Sequence, residues 1–246
     1  MDDKPLITYA TGKQIRWACL NFHYAKSTPP HSFAYSVYQG FNWCGVIIYG
    51  PGATPRIGEP FGLQQNEVAE LVRVALNVEQ HTTSECVAAS MRQLHKDAPG
   101  IRLVVSFADI DQHHAGTIYQ ATNWIYLGQR NEGDLTAFIV NGKKTHRRTI
   151  GSMGGIQNIG WVREHLDPAA QEFRTAGKHK YVFAFDKRLR RELLKQAQPY
   201  PKRGNHEQDH QPPMEERTPP EGLPRPVQGD GRPLWDMPGG FGADTL

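Results

Sequence analysis

Residues 101–126, IRLVVSFADIDQHHAGTIYQATNWIY, constrain the fold more than any other stretch of the chain. Ile101 to Ala108 is an almost unbroken apolar run, the pattern of a strand buried on both faces. Polar groups then arrive together: Ser106 within the run, Asp109 and Asp111 just after it. His113 and His114 follow at the start of a short helical segment carrying Tyr119, and Trp124 to Leu127 reads as the next strand. In an α/β sheet, ligand-binding groups gather at the C-terminal ends of buried strands. A structural reading stands beside each candidate. Asp109 also suits a turn or helix N-cap, Tyr119 a core tyrosine with its hydroxyl at the rim, and the histidine pair a solvated helix start.

The flanking segments supply the frame. Glu67 to Leu76 ends as a strand, with Val72, Val74 and Leu76 on one face and Leu71, Arg73 and Ala75 on the other. Arg73 thus sits mid-strand among apolar neighbours, where an unpaired guanidinium is costly, so it needs a carboxylate or an anionic ligand. Asp109 suits that role better than Glu70, which points to the opposite face. Thr82-x-x-Glu85 is a capping box for a helix running to about Lys96 and stopped by Pro99-Gly100. Strand, helix and strand make a βαβ unit with parallel strands and a right-handed crossover. Upstream, Lys13 to His23 has helical spacing and must end before Pro29-Pro30, leaving His23 and Tyr24 at its C-terminal end. Residues 32–38 and 43–49 form a hairpin, and the Gly/Pro-rich stretch from Gly50 to Gly62 is a loop without the phosphate-loop pattern.

Asn141-Gly142 marks a second hairpin between 137–140 and 144–150, whose second arm is cationic: Lys143, Lys144, His146, Arg147 and Arg148. A helical stretch to about Leu166, a strand at 181–185 and a basic helix with Leu189, Leu193 and Leu194 follow. The formal net charge is only +3, so basic character is judged by position. Residues 178–203 hold nine Lys/Arg against two acids. With the cationic hairpin, this is the footprint of a phosphate-backbone binder built from Lys143, Lys144, Arg147, Arg148, Lys187, Arg188, Arg190 and Arg191. Residues 204–246, with eight prolines, seven glycines and eight acids, read as a disordered tail after a folded domain at 1–203. The three cysteines lack CxxC spacing, which argues against a zinc knuckle and fits a reducing cytoplasm. No apolar run is long enough for a membrane span, and MDDKPLITYA is no signal peptide.

Read together, ELVRVAL at 70–76, LVVSFAD at 103–109 and GTIYQATNWIYLG at 116–128 resemble the Mom family of DNA-modification proteins. The His23-Tyr24 pair and Pro199-Tyr200-Pro201-Lys202 fit the same resemblance, which spans about 13–203. It implies an α/β fold like that of the GNAT acyltransferases, a twisted mixed sheet with helices on both faces. It also implies conversion of adenine in double-stranded DNA to a base with a glycinamide-type group on N6, which protects phage DNA from restriction in the host cytoplasm. Carried over by position, it places Arg73, Ser106, Asp109 and Tyr119 in the site, with His23 and Tyr24 near it. Tyr119 falls where such acyltransferases keep a tyrosine that protonates the leaving thiolate. The chain departs from them after the 70–76 strand, where residues 77–82 contain no glycine to hold a CoA pyrophosphate.

The implied chemistry needs the adenine out of the stack, with N6 near Asp109 and either Tyr24 or Trp124 stacked on the base. Partners are therefore duplex DNA and a small-molecule group donor, with an acyl-CoA-type donor and iron as the cofactor expectations. His23 with His31, His113 or His114 would be the iron ligands. A homodimer is compatible with this scheme. The competing classes are a small-molecule N-acyltransferase and a non-catalytic DNA-binding protein.

Overall fold

A computed structural model describes residues 4–77, 80 and 82–202. The chain divides into two compact units, whose described residues fall in 4–49 and 73–97 for the first and in 50–72 and 98–202 for the second. The expected tail at 204–246 and part of the glycine-free turn (78, 79 and 81) lie outside the described residues.

The first unit holds β1 (Leu6–Tyr9), α1 (Gly12–Asn21), β2 (Phe33–Gln39), β3 (Asn42–Gly50), the second half of β4 (Val68–Leu76) and α2 (Thr83–Asp97). The order is β1-β2-β3-β4, with β1, β2 and β3 antiparallel. Helix α1 starts at a capping box between Thr11 and Gln14 and ends at Asn21, so His23 and Tyr24 follow it rather than closing it. Helix α2 buries Val87, Met91 and Leu94, the stripe its periodicity predicts. Glu85 N–H donates to Thr82 Oγ1 at 3.2 Å, one arm of the expected capping box. Two strand tyrosines reach this helix, since Tyr35 donates to Asp97 at 2.9 Å and Tyr49 bonds Ser90 at 2.7 Å. Each buried hydroxyl thereby keeps the partner that burial demands. Strand β1 is unanticipated, because four residues carry too little periodicity to be recognised.

The second unit holds the first half of β4, then β5 (Leu103–Asp109), α3 (Thr117–Ala121), β6 (Ile125–Arg130), β7 (Leu135–Val140), β8 (Lys143–His146), α4 (Arg147–Ser152), α5 (Ile159–His165), β9 (Gln171–Arg174), β10 (Lys178–Ala184) and α6 (Lys187–Leu194). Strand order is β4-β5-β10-β6. The expected parallel pairing of β4 with β5 runs from Val68↔Leu103 to Glu70↔Val105, and β10 is antiparallel to both its neighbours. The fold is therefore mixed α/β. One face carries Val68, Leu103, Val105, Val182, Ile125 and Leu127, all buried with Leu193 of α6.

Strands β8-β7-β9 form a separate sheet with its own core of Phe138, Ile150, Val162 and Ala170. Asn141 and Gly142 have φ of 49° and 73°, the two positive values that an Asn-Gly hairpin turn requires. The second arm is shorter than expected. His146 Nδ1 accepts the Arg148 N–H at 3.1 Å and caps a helix, so Arg147 and Arg148 lie on α4 rather than on a strand. His113 and His114 are also displaced from expectation. His113 ends a one-turn helix at 110–112 with φ of 58°, and α3 begins only at Thr117.

Asp111 ties this small sheet to the end of β5. Its carboxylate accepts from the Ala176 N–H at 2.8 Å, the Thr175 hydroxyl at 2.9 Å and Lys144 Nζ at 3.3 Å. Burial alone would raise its pKa, but these three donors outweigh burial and lower it below the ordinary 3.8. A carboxylate with a depressed folded-state pKa contributes stability that is complete above its unfolded value and is lost as pH falls through the folded value. Acidification below about pH 4 should therefore loosen residues 131–177 first. Asp111→Ala should lower their stability by about 2 kcal/mol at neutral pH. Amide hydrogen exchange reads both effects, and unchanged protection in the variant would remove Asp111 from this role.

Candidate active site

Strand β5 delivers Ser106, 1% exposed, into a buried hydroxyl pair with Tyr119 of α3 at 2.8 Å. Ser106 Oγ also lies 2.8 Å from the Leu71 carbonyl, placed to donate to it. A serine has one proton and a carbonyl can only accept. The Ser106 hydroxyl has two acceptors in reach, the Tyr119 oxygen and the Leu71 carbonyl, and its one proton serves either. Should Tyr119 lose its proton, Ser106 can turn and donate to the phenolate instead. The pair is thus a ready proton donor with a built-in stabiliser for its anion.

Aromatic rings wall this pair. Tyr119 has Tyr181 at 4.9 Å and Trp124 at 5.1 Å between ring centroids. Gly116, at φ of 79°, begins α3 where a Cβ would fall 2.4 Å from the Tyr181 ring. Tyr181 donates to the Ala115 carbonyl, and burial pushes its pKa up. Tyr126 and His179 Nδ1 are 2.8 Å apart. Tyr181, Tyr126 and His179 escaped the sequence reading, although the alternation in KHKYVFA at 178–184 put His179 and Tyr181 on one face. Trp124 is 1% exposed, so it is a wall residue and not the surface on which a base would stack.

Asp109 takes the capping position offered for it and is not the partner of Arg73. Its Oδ1 accepts the Asp111 N–H at 3.0 Å as the N-cap of the 110–112 turn. Lys178 lies opposite it in the β5–β10 register. Glu70, weighed as an Arg73 partner, accepts the Ala53 N–H at 2.9 Å, and burial raises its pKa.

In the first unit, Arg73 gathers a second cluster. Its Nη1 donates to the Ser27 carbonyl at 2.5 Å, not to a carboxylate. Its Nε is buried without a hydrogen-bond partner among the described residues. Burial lowers the guanidinium pKa, partly opposed by the Cys19 thiol and the Tyr24 hydroxyl nearby. A half-buried cation with an unused donor is a site for an anionic group. His23 and Tyr24 stack at 4.2 Å, and Tyr24 is 43% exposed, available to a flat ligand. His23 Nδ1 accepts the Ala25 N–H at 3.1 Å, which puts the proton of a neutral ring on Nε2. His31 Nδ1 lies 3.0 Å from the Pro29 carbonyl. Among the described residues no three His, Cys, Asp or Glu side chains converge as metal ligands, so the iron expectation does not fit this arrangement.

The eight basic candidates divide by contact. Lys143, Arg148, Lys187, Arg188 and Arg191 are exposed. Lys144 bonds Asp111 and lies 3.6 Å over the Phe173 ring, Arg147 donates to the Leu135 carbonyl, and Arg190 donates to the Asn123 carbonyl. No helix among the described residues is long and apolar enough to cross a membrane.

These features define a mixed α/β protein whose polar groups collect at the C-terminal end of a buried strand. The sequence model of the Mom protein family matches residues 6–202, and the chain belongs to that family. It is 25% identical over 190 residues to the methylcarbamoylase mom of Escherichia phage Mu, covering 73% of this chain and 76% of that protein. Solved structures it resembles include a Bacillus subtilis acetyltransferase in complex with CoA (TM-score 0.42, 9% identity, 74% of this chain and 99% of that one). A spermidine/spermine N-acetyltransferase from Vibrio cholerae aligns similarly (TM-score 0.42, 11% identity, 76% and 96%). Likeness at that level carries no argument about chemistry.

Proposed function

We propose that this chain transfers a carbamoylmethyl-type group to N6 of adenine in double-stranded DNA, and so shields the DNA from restriction. The buried Ser106–Tyr119 hydroxyl pair, in a chain of the Mom family, carries this reading. The related phage Mu protein is a methylcarbamoylase. In the reaction the N6–carbon bond forms as the bond from that carbon to the leaving group breaks. N6 sheds one proton and the leaving group gains one, so no electrons enter or leave. Tyr119 supplies the second proton, and Ser106 turns to hold the phenolate. Asp109, anchored through Oδ1, accepts the first proton through its other oxygen. Plain acyl transfer from an acyl-CoA would leave an amide at N6, so the donor must carry its leaving group on the methylene carbon. In the first unit, Arg73 suits an anionic group and Tyr24 a flat ligand. The exposed cations track the phosphates.

The test is mass spectrometry of nucleosides from plasmid grown with the wild-type protein or with Asp109→Ala. A heavier deoxyadenosine in the wild-type sample alone is expected, and its added mass identifies the group. Unmodified adenine with soluble wild-type protein in a phage-infected host would overturn the reading in favour of a small-molecule N-acyltransferase.

A further inference from the structure

We propose that the turn at 152–157 is a wedge that enters duplex DNA between neighbouring base pairs and loosens the stack from which the adenine leaves. The inference rests on the DNA reading above and adds the element that opens the duplex.

Met153 is 67% exposed and Ile156 59%, two large apolar side chains presented within four residues. A flexible loop would carry such residues without consequence, but this turn is braced. Gly155 N–H donates to the Ile150 carbonyl at 2.9 Å, Gly154 N–H to Gly151 at 3.0 Å and Met153 N–H to Thr149 at 3.2 Å. Gly155 also lies so close to its support that a Cβ there would fall 2.5 Å from the Trp161 ring and 2.8 Å from Ile150. Ile150 belongs to the core of the small sheet, with Trp161 packed against it. The backbone is therefore fixed to a folded base while the two apolar tips face water.

The surroundings identify the partner. Residues 141–163 hold five Lys/Arg and no Asp or Glu. Of these, Lys143 and Arg148 are exposed, on the strand and helix that lead into the turn. An apolar tip alone would suit a protein surface. An apolar tip framed by exposed cations such as Lys143 and Arg148 suits a polyanion with an apolar interior, which is a nucleic-acid duplex. Met and Ile are side chains that proteins insert between base steps, unstacking them and kinking the helix. An unstacked neighbour weakens the hold on the target base, so extrusion requires less of the site that receives it.

The experiment uses the full chain and a plasmid, so no recognition sequence need be known. Duplex affinity is measured against salt, and unstacking is read as permanganate reactivity of thymines. Wild-type protein should raise that reactivity at discrete positions. Met153→Ser/Ile156→Ser, both changes at exposed sites, should bind within about threefold of wild type with an unchanged salt slope but lose most of the reactivity. Arg148→Ala should instead lower the salt slope by about one while unstacking persists at saturation. Equal reactivity in wild type and the double variant overturns the wedge and leaves the DNA reading standing. The same holds if the double variant only dissociates a dimer. Wild-type protein that binds no duplex at low salt overturns the DNA reading itself, and the wedge with it.

Discussion

Tyr119→Phe should slow DNA modification by about 10²-fold or more and leave the fold intact, because the change removes the proposed general acid and little else. Ser106 keeps the Leu71 carbonyl as its acceptor when the phenol is gone, so no buried donor is stranded. The ring still fills the space beside Trp124 and Tyr181. Ser106→Ala should behave differently. It removes the donor that steadies the phenolate and also a buried hydrogen bond to the Leu71 carbonyl, a loss of about 1 kcal/mol. Its rate loss should therefore be smaller and its melting temperature lower. Single-turnover rates paired with thermal melts separate the two. A Tyr119→Phe protein with full activity would exclude the phenol as proton donor.

Gly45→Val should cost about 3 kcal/mol or more, the largest stability loss expected from one surface-distant change in the first unit. Gly45 has φ of 127°, and a Cβ there would lie 2.1 Å from the Ala75 carbonyl oxygen and 3.0 Å from the Leu76 Cα. Both obstacles are backbone, so neither can rotate away. The register of β2 with β3 shifts beside this point, between Val37 and Tyr38, as expected for a bulge. Gly40 is the control: its φ is 57°, but nothing lies within 4 Å of a Cβ. Gly40→Ala should therefore cost only about 1–2 kcal/mol, the strain of a left-handed residue. Denaturant midpoints for both variants decide the point, and equal losses would mean that the contact with Ala75 is not what requires glycine.

Much of the frame of both units was legible because its signals are local. The valine run of β5, the Asn-Gly turn and the stripe of α2 each follow from a period or a turn preference that few residues determine. Contacts that join distant segments were not legible. Nothing in the sequence says that β10 lies between β5 and β6, so Tyr181 and His179 were left out of the site. Arg73 shows the same limit. Its need for a partner could be argued from desolvation, but the partner is a backbone carbonyl, which every residue possesses and no pattern marks. His146 ended a strand early for a related reason, since a histidine capping a helix is a rarer choice than Ser, Asp or Asn. The Ser106–Tyr119 pair was half legible: both residues stand out in the sequence, but only the structure shows that their hydroxyls meet.

Residues 131–177 leave the sheet after Arg130 and re-enter it at Lys178, and these two residues are register partners on neighbouring strands. The excursion thus starts and finishes at one place, with the entropy of closing it already met by the host sheet. It also has an apolar centre of its own. A segment attached in this way can open and reclose as one cooperative unit while β6 and β10 stay paired. Its length and outer surface can likewise change without moving β6 and β10. Under the proposed function, contact with DNA and transfer of a group would then be separable traits within one chain.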